Sequence, residues 1–237
     1  MSKFRRRLMA LSTLRPHIKD EFVRVEYIEN TSNAYIDTKL FTVYDDGRTY
    51  KHIVNLSYTV TNERQLNGAN GNGYFGIDKN GKFECAYIQD SAIAAGDSWH
   101  NINFSYVSPT NTSLNIKYVI DNQLLEKNLS KVTLYNYPYA IFIFAIGGRN
   151  DAAPSFFCKE RIKSYQIYID DVLVRNFIPV LNKATDEYGM YDLVEKKFYV
   201  SPNGTKFVGG REIIYDAEIE YLRGTNNQYI ETHIIPK

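Results

Sequence analysis

Apolar and polar residues alternate along most of this chain. Val54, Leu56, Tyr58 and Val60 alternate with Asn55, Ser57 and Thr59, and Ile102, Phe104 and Tyr106 alternate with Asn101, Asn103 and Ser105. Leu114, Ile116, Tyr118 and Ile120 alternate with Asn115 and Lys117, and Tyr165, Ile167 and Ile169 keep the same period. A period of two places one face in a core and the other in water, which is the pattern of antiparallel strands. Residues 139–146, Tyr-Ala-Ile-Phe-Ile-Phe-Ala-Ile, are continuously apolar. They predict a central strand covered on both sides.

Turn residues separate these runs. Asp45-Asp46-Gly47, Asn67-Gly68, Asn72-Gly73, Asp78-Lys79-Asn80-Gly81, Gly147-Gly148 and Asn203-Gly204 all supply residues that tolerate positive φ. Many short strands with such turns, and no long helical period, predict an all-β, two-sheet antiparallel jelly-roll sandwich. A body of about 190 residues has room for roughly a dozen strands.

Composition agrees. Tyr (20) and Phe (13) dominate the aromatics, with a single Trp99, and this usage favours strands. A formal net charge of +1 argues against a general polyanion binder, so nucleic acid is not an expected partner. No apolar run reaches the roughly 18 residues of a membrane-spanning helix, so no membrane contact is expected. Cys85 and Cys158, 73 positions apart, form no metal-ligand pattern and read as buried free thiols, with a bridge between them the alternative.

Charge is unevenly spread. Residues 1–24 carry seven Lys/Arg against two acids, a net of +5, which leaves the remaining 213 residues at −4. This stretch predicts a basic N-terminal arm ahead of a body at 25–215. Phe4, Leu8 and Leu11 fall at helical spacing beside Arg5, Arg6 and Arg7, so the six are the candidate anchor onto a larger assembly. Alone, so short a helix is unstable in water. Arg15-Pro16-His17 interrupts the short apolar stretch and no small-x-small cleavage site follows, so no signal peptide is expected.

One internal repeat is present. Residues 26–40 recur 194 positions later at 220–234, with seven of fifteen positions identical. Glu220, Tyr221, Tyr229, Ile230 and Thr232 repeat Glu26, Tyr27, Tyr35, Ile36 and Thr38. Residues 216–237 therefore read in two ways. They are the opening of a second repeat in a tandem array, the favoured reading, or strands exchanged into a neighbouring subunit.

Several segments together carry a family resemblance. Trp99-His100 with Asn103-Phe104-Ser105-Tyr106 resembles a characteristic strand of the concanavalin A-like lectin/glucanase (laminin-G-like) domains. The strand-turn unit at 114–123, the Gly147-Gly148-Arg149 strand end and the hairpin at 161–180 are similar to the units that follow it, and Gly189-Met190-Tyr191-Asp192 closes the pattern. The Glu-Tyr-Ile…Tyr-Ile-Asp-Thr opening resembles a subgroup found in gut bacterial and bacteriophage proteins. One departure is Asp170-Asp171, where the group carries Asn-Gly or Asp-Gly, which suggests a different turn type. The resemblance implies a jelly roll serving glycan binding, glycan hydrolysis or protein adhesion, and the fold alone does not choose among them.

The chemistry narrows the choice. Glycosidases of this group use a Glu-x-Asp-x-x-Glu strand, and no Glu-x-Asp occurs here. His17, His52, His100 and His233 are scattered, and His100 reads as a polar cap at a strand start. Asn70-Gly71-Asn72-Gly73 leads into a strand and is no phosphate loop, and the segment 78–84 reads as a hairpin turn rather than a calcium loop. Neither a catalytic residue nor a cofactor is expected; Asn150-Asp151 is where a calcium ligand would fall. The expected role is a non-enzymatic virion structural or adhesion protein of a bacteriophage, a head or tail fibre or decoration. It would be a homo-oligomer, held to other virion proteins by its arm and presenting lectin-like domains to host surface glycans. The alternative is a bacterial carbohydrate-binding module or surface lectin.

Overall fold

The computed structural model describes residues 18–42, 47–59, 63–69, 73–85, 98–110, 113–130, 138–147 and 154–213, with backbone alone at 108–110 and 147. Seventeen strands follow one another: β1 (Phe22–Arg24), β2 (Ile28–Glu29), β3 (Ile36–Thr42), β4 (Thr49–Tyr58), β5 (Gln65–Ala69), β6 (Gly73–Ile77), β7 (Phe83–Cys85), β8 (His100–Thr110), β9 (Ser113–Ile120), β10 (Gln123–Ser130), β11 (Tyr139–Ile143), β12 (Ile146–Gly147), β13 (Glu160–Ile169), β14 (Val172–Asn182), β15 (Glu187–Asp192), β16 (Lys197–Tyr199) and β17 (Val208–Gly209). There is no helix among the described residues.

The strands form two sheets. The larger has the order β10-β9-β8-β4-β13-β14-β15-β16, with β1 added to β14 and β2 joining β13 to β17. The smaller has the order β3-β11-β5-β6-β7, and β12 lies parallel to β5. Every other pairing is antiparallel.

The alternation in sequence becomes the inner face of the larger sheet. Tyr50, His52, Val54, Leu56 and Tyr58 of β4 are buried, as are Ile102, Phe104 and Tyr106 of β8 and Leu114, Ile116, Tyr118 and Ile120 of β9. In β13 the parity changes between Ile162 and Tyr165, which both face inward. A bulge between Ile162 and Ser164 inserts the extra residue that makes this possible. Phe75, Phe83, Ile141, Ile143 and Ile36 of the smaller sheet meet these residues in one shared core. Each large side chain buried there contributes about 1.5–3 kcal/mol.

Both faces of the smaller sheet are covered along β5, β6, β7 and β11, which are buried throughout, while β3 at the edge exposes Lys39 and Phe41. The outer face carries its own apolar clusters, Leu66–Tyr74–Ile146 and Ala140–Phe142–Ala145, the second packed against Tyr35 and Phe157. The continuous apolar run at 139–146 has this origin. It is not one strand, however. Phe144 takes a left-handed φ of +68° between β11 and β12. Its N–H goes to Asn67 Oδ1 at 2.7 Å and its carbonyl accepts from the Cys158 N–H at 2.8 Å. These side-chain and loop partners replace the ladder and break the strand.

Two further expectations change. Asp170 and Asp171 have φ of +51° and +62°, so this turn belongs to the same primed class that Asn-Gly would build. The basic arm does not extend to residue 24: β1 pairs Phe22 with Asn182, and the Phe22 ring packs 5.2 Å from Tyr191 and 5.0 Å from Phe198. Aromatic burial at that corner draws the chain into the body before Val25.

Candidate functional site

Residues 155–160 form the strap by which the chain passes from the smaller sheet to the larger. Ser155 exchanges both backbone hydrogen bonds with Ile146, at 3.0 and 3.2 Å. The Phe156 carbonyl accepts from Leu66 N at 3.1 Å, and Gln65 Oε1 accepts from Lys159 N at 2.5 Å. From below, Asn30 Nδ2 donates to the Cys158 carbonyl at 2.7 Å, and Asn67 Nδ2 donates to Glu160 Oε2 at 3.1 Å. Held on both sides, the strap sends Cys158 and Glu160 into the core and leaves Phe156 exposed, with Phe157 and Lys159 half-buried.

The outward side chains line a cleft of about 420 Å³ together with Ser32, Glu63 and Arg64. Arg64 is its fixed cation. Its Nε pairs with Glu84, and its Nη2 donates to Tyr74 Oη at 3.0 Å. The guanidinium carbon lies 5.2 Å from the Tyr74 ring centre and 5.9 Å from that of Phe156. Burial raises the Glu84 carboxyl pKa, and the Arg64 hydrogen bond and charge oppose that rise. The pair keeps its ion–ion contact at the edge of an apolar floor. An aromatic ring beside a positioned guanidinium and mixed polar groups suits a ligand with one apolar face and several hydroxyls.

Beneath the strap lies a buried polar set. Glu160 is fully buried, and burial raises its pKa to about 8 against the Asn67 hydrogen bond. Tyr58, directly opposite Glu160 across β4 and β13, and Tyr165 are raised by burial and then by the Glu160 charge, and Tyr118 by burial and then by Cys85, Glu84 and Glu160. His52 is fully buried, burial lowers its pKa to about 3, and its Nδ1 lies 3.1 Å from Tyr165 Oη. Cys85 and Cys158 are free and buried, and burial pushes both thiols up. None of these inward groups reaches the cleft surface.

His100 sits at the start of β8, as a polar cap would. Its Nδ1 lies 2.6 Å from Asp121 Oδ2 and its Nε2 lies 3.1 Å from Ser98 Oγ. The three resemble a hydrogen-bonded Ser-His-Asp chain, yet their burial is reversed from what catalysis uses. The His100 side chain is 8% exposed and that of Asp121 is 41% exposed, so water screens the charge that would stabilise an imidazolium. Asp121 Oδ1 also accepts from Asn101 N at 2.8 Å. The carboxylate thus pins the β9–β10 turn to β8.

The anchor residues Phe4, Arg5, Arg6, Arg7, Leu8 and Leu11 lie outside the described residues. So do Glu220, Tyr221, Tyr229, Ile230 and Thr232 of the repeat, and Asn150 and Asp151. The first copy of the repeat is described. It builds β2 and the first half of β3, with Ile28, Ala34, Ile36 and Thr38 fully buried. The segment 78–84 is a hairpin turn, with Asp78 Oδ1 accepting from Asn80 N at 2.8 Å and Lys82 N at 2.9 Å. Among the described residues no group of three His, Cys, Asp or Glu could hold a metal ion. Sequence patterns did not single out Arg64, Phe156 or Lys159, and they touched Glu84 only as the end of the 78–84 turn. The one available signal was Phe156-Phe157, two adjacent rings outside any alternating run.

No family model matches the sequence, and no curated protein matches it. Among solved structures, similarity is found to SCP-B, a member of the eqolisin family of peptidases solved in a complex with the tripeptide Ala-Ile-His. The identity is 14%, the match covers 67% of this chain and 89% of that one, and the TM-score is 0.33.

Proposed function

We propose that this protein is a non-enzymatic adhesion module: a concanavalin A-like jelly roll that binds glycans through the cleft above residues 155–160. The observation that carries this reading is the cleft itself, in which exposed Phe156 stands beside Arg64, whose guanidinium is fixed by the buried Glu84 outside the lining. Saccharides are held by ring faces together with a few directed polar groups, and both are present there. The setting we propose is a bacteriophage virion, as a head or tail fibre or decoration, with the basic N-terminal stretch contacting other virion proteins. That setting rests on the Tyr-Ile-Asp-Thr opening, the charge asymmetry and the repeat. A single shallow site is weak, and multiple copies in a homo-oligomer compensate through avidity.

The test is a printed array of bacterial surface polysaccharides and neutral oligosaccharides probed with the purified full chain. Saturable binding to a defined glycan subset, lost in Arg64→Ala, is expected. Uniform absence of binding across the array would overturn the glycan reading.

A further inference from the structure

Among the nine described non-glycine residues with positive φ, Phe156 is unusual. Asp121, Asn122, Asp170, Asp171 and Asp186 are of the types that tolerate this region in turns. Phe156, with φ of +51°, is a bulky aromatic, for which the left-handed region is a true outlier. Phe144 is the other aromatic case, and its ring is fully buried and packed 5.0 Å from Phe207. Phe156 has no such burial: the residue is 48% exposed. Core packing therefore does not account for its conformation.

The surroundings do hold it. The Ser155–Ile146 hydrogen-bond pair, the Leu66 N–H on the Phe156 carbonyl and the Cys158 N–H on the Phe144 carbonyl clamp the backbone on both sides of the ring. Those contacts come from β5, β12 and the β11–β12 break, all parts of the smaller sheet. Backbone strain maintained by surrounding structure, with the strained side chain turned outward, is the arrangement of a residue kept for contact. A ring fixed in advance loses little conformational freedom when a ligand stacks on it.

We propose that Phe156 is the ligand-stacking residue of the cleft, with its ring pre-aimed by the clamped left-handed backbone to receive the apolar face of a pyranose. Arg64 and Lys159 stand beside the ring, where they donate hydrogen bonds to hydroxyl or carboxylate oxygens of the same sugar. This assignment rests on the glycan reading above.

Two measurements test it separately. The first compares wild type, Phe156→Tyr and Phe156→Ala on the same glycan array. Tyr retains binding and Ala weakens it by at least about tenfold, the loss of one stacking contact. Wild-type binding that Phe156→Ala leaves unchanged overturns the assignment while the glycan reading stands. A wild type that binds no glycan overturns both. The second compares thermal unfolding of Phe156→Gly and Phe156→Ala without ligand. In an ordinary extended backbone Gly is the less stable of the two, whereas a clamped left-handed backbone reverses the order. Phe156→Gly is expected to melt a few degrees above Phe156→Ala. The opposite order overturns the pre-aiming, whatever the array shows.

Discussion

Glu160 is the residue whose chemistry most departs from its surroundings. It carries a carboxyl group in the shared core, faces Tyr58, Tyr118, Tyr165, Cys158 and Asn67, and receives a single side-chain hydrogen bond, from Asn67. Its pKa is about 8 in the folded chain against an ordinary 4.5. Below pH 4.5 the group is neutral in both states and costs nothing. Between 4.5 and 8 the unfolded chain ionises and the folded chain does not, so stability falls as pH rises, and the fall levels off above 8. At pH 7 the accumulated loss is roughly 3 kcal/mol. Glu160→Gln keeps an acceptor for Asn67 and removes the ionisation. Urea denaturation is expected to show the variant more stable than wild type at pH 7 and level with it near pH 4. Equal pH slopes for the two proteins would refute this account. The sequence alone placed no significance on Glu160, because its burial depends on which strand of the other sheet lies beneath it.

At the scale of elements, the hairpins are legible and the irregularities less so. The β13–β14 turn, Asp170-Asp171, has both φ values positive, and Lys51 Nζ reaches Asp171 Oδ1 at 2.8 Å. Asp171 is well exposed, so this ion pair contributes little. The backbone decides the turn. Asp171→Gly is expected to be more stable than Asp171→Ala by about 1 kcal/mol, measured by chemical denaturation, because only Gly enters this region without steric cost. The β13 bulge and the break at Phe144 had no counterpart in the alternation pattern. Each depends on a partner distant in sequence: β4 for the bulge, and Asn67 and Cys158 for the break.

At the scale of the whole molecule, one buried ion network ties the sheets together. Arg175 of β14 donates from Nε to the Thr38 carbonyl of β3 at 3.2 Å, so a side chain of the larger sheet binds backbone of the smaller. The same guanidinium lies 3.5 Å from Asp192 and 2.6 Å from Glu195. Glu195 in turn accepts from Tyr199 Oη at 2.5 Å. Asp192 is fully buried, and removing its cation leaves a charge with no counterion. Arg175→Met is expected to cost about 3–5 kcal/mol of folding stability in equilibrium denaturation. A loss below about 1 kcal/mol would show that the inter-sheet tie is dispensable.

What the sequence determined by itself is the β class, the positions of β4, β8, β9 and β13, and the inward face of those four strands of the larger sheet. Period-two alternation is a local property, visible whenever one face is dry and the other wet. The unbroken apolar run at 139–146 marked a strand covered on both sides, of which 139–143 is one strand and the rest is split off at Phe144, and the turn residues marked the hairpin at 78–84. The tertiary structure decided the rest. Arg64 and Glu84 pair across twenty positions because β5, β6 and β7 are neighbours in one sheet. Phe156 and Lys159 join them because the strap between the sheets crosses that same corner. Such convergence follows from strand order, and local pattern does not encode strand order.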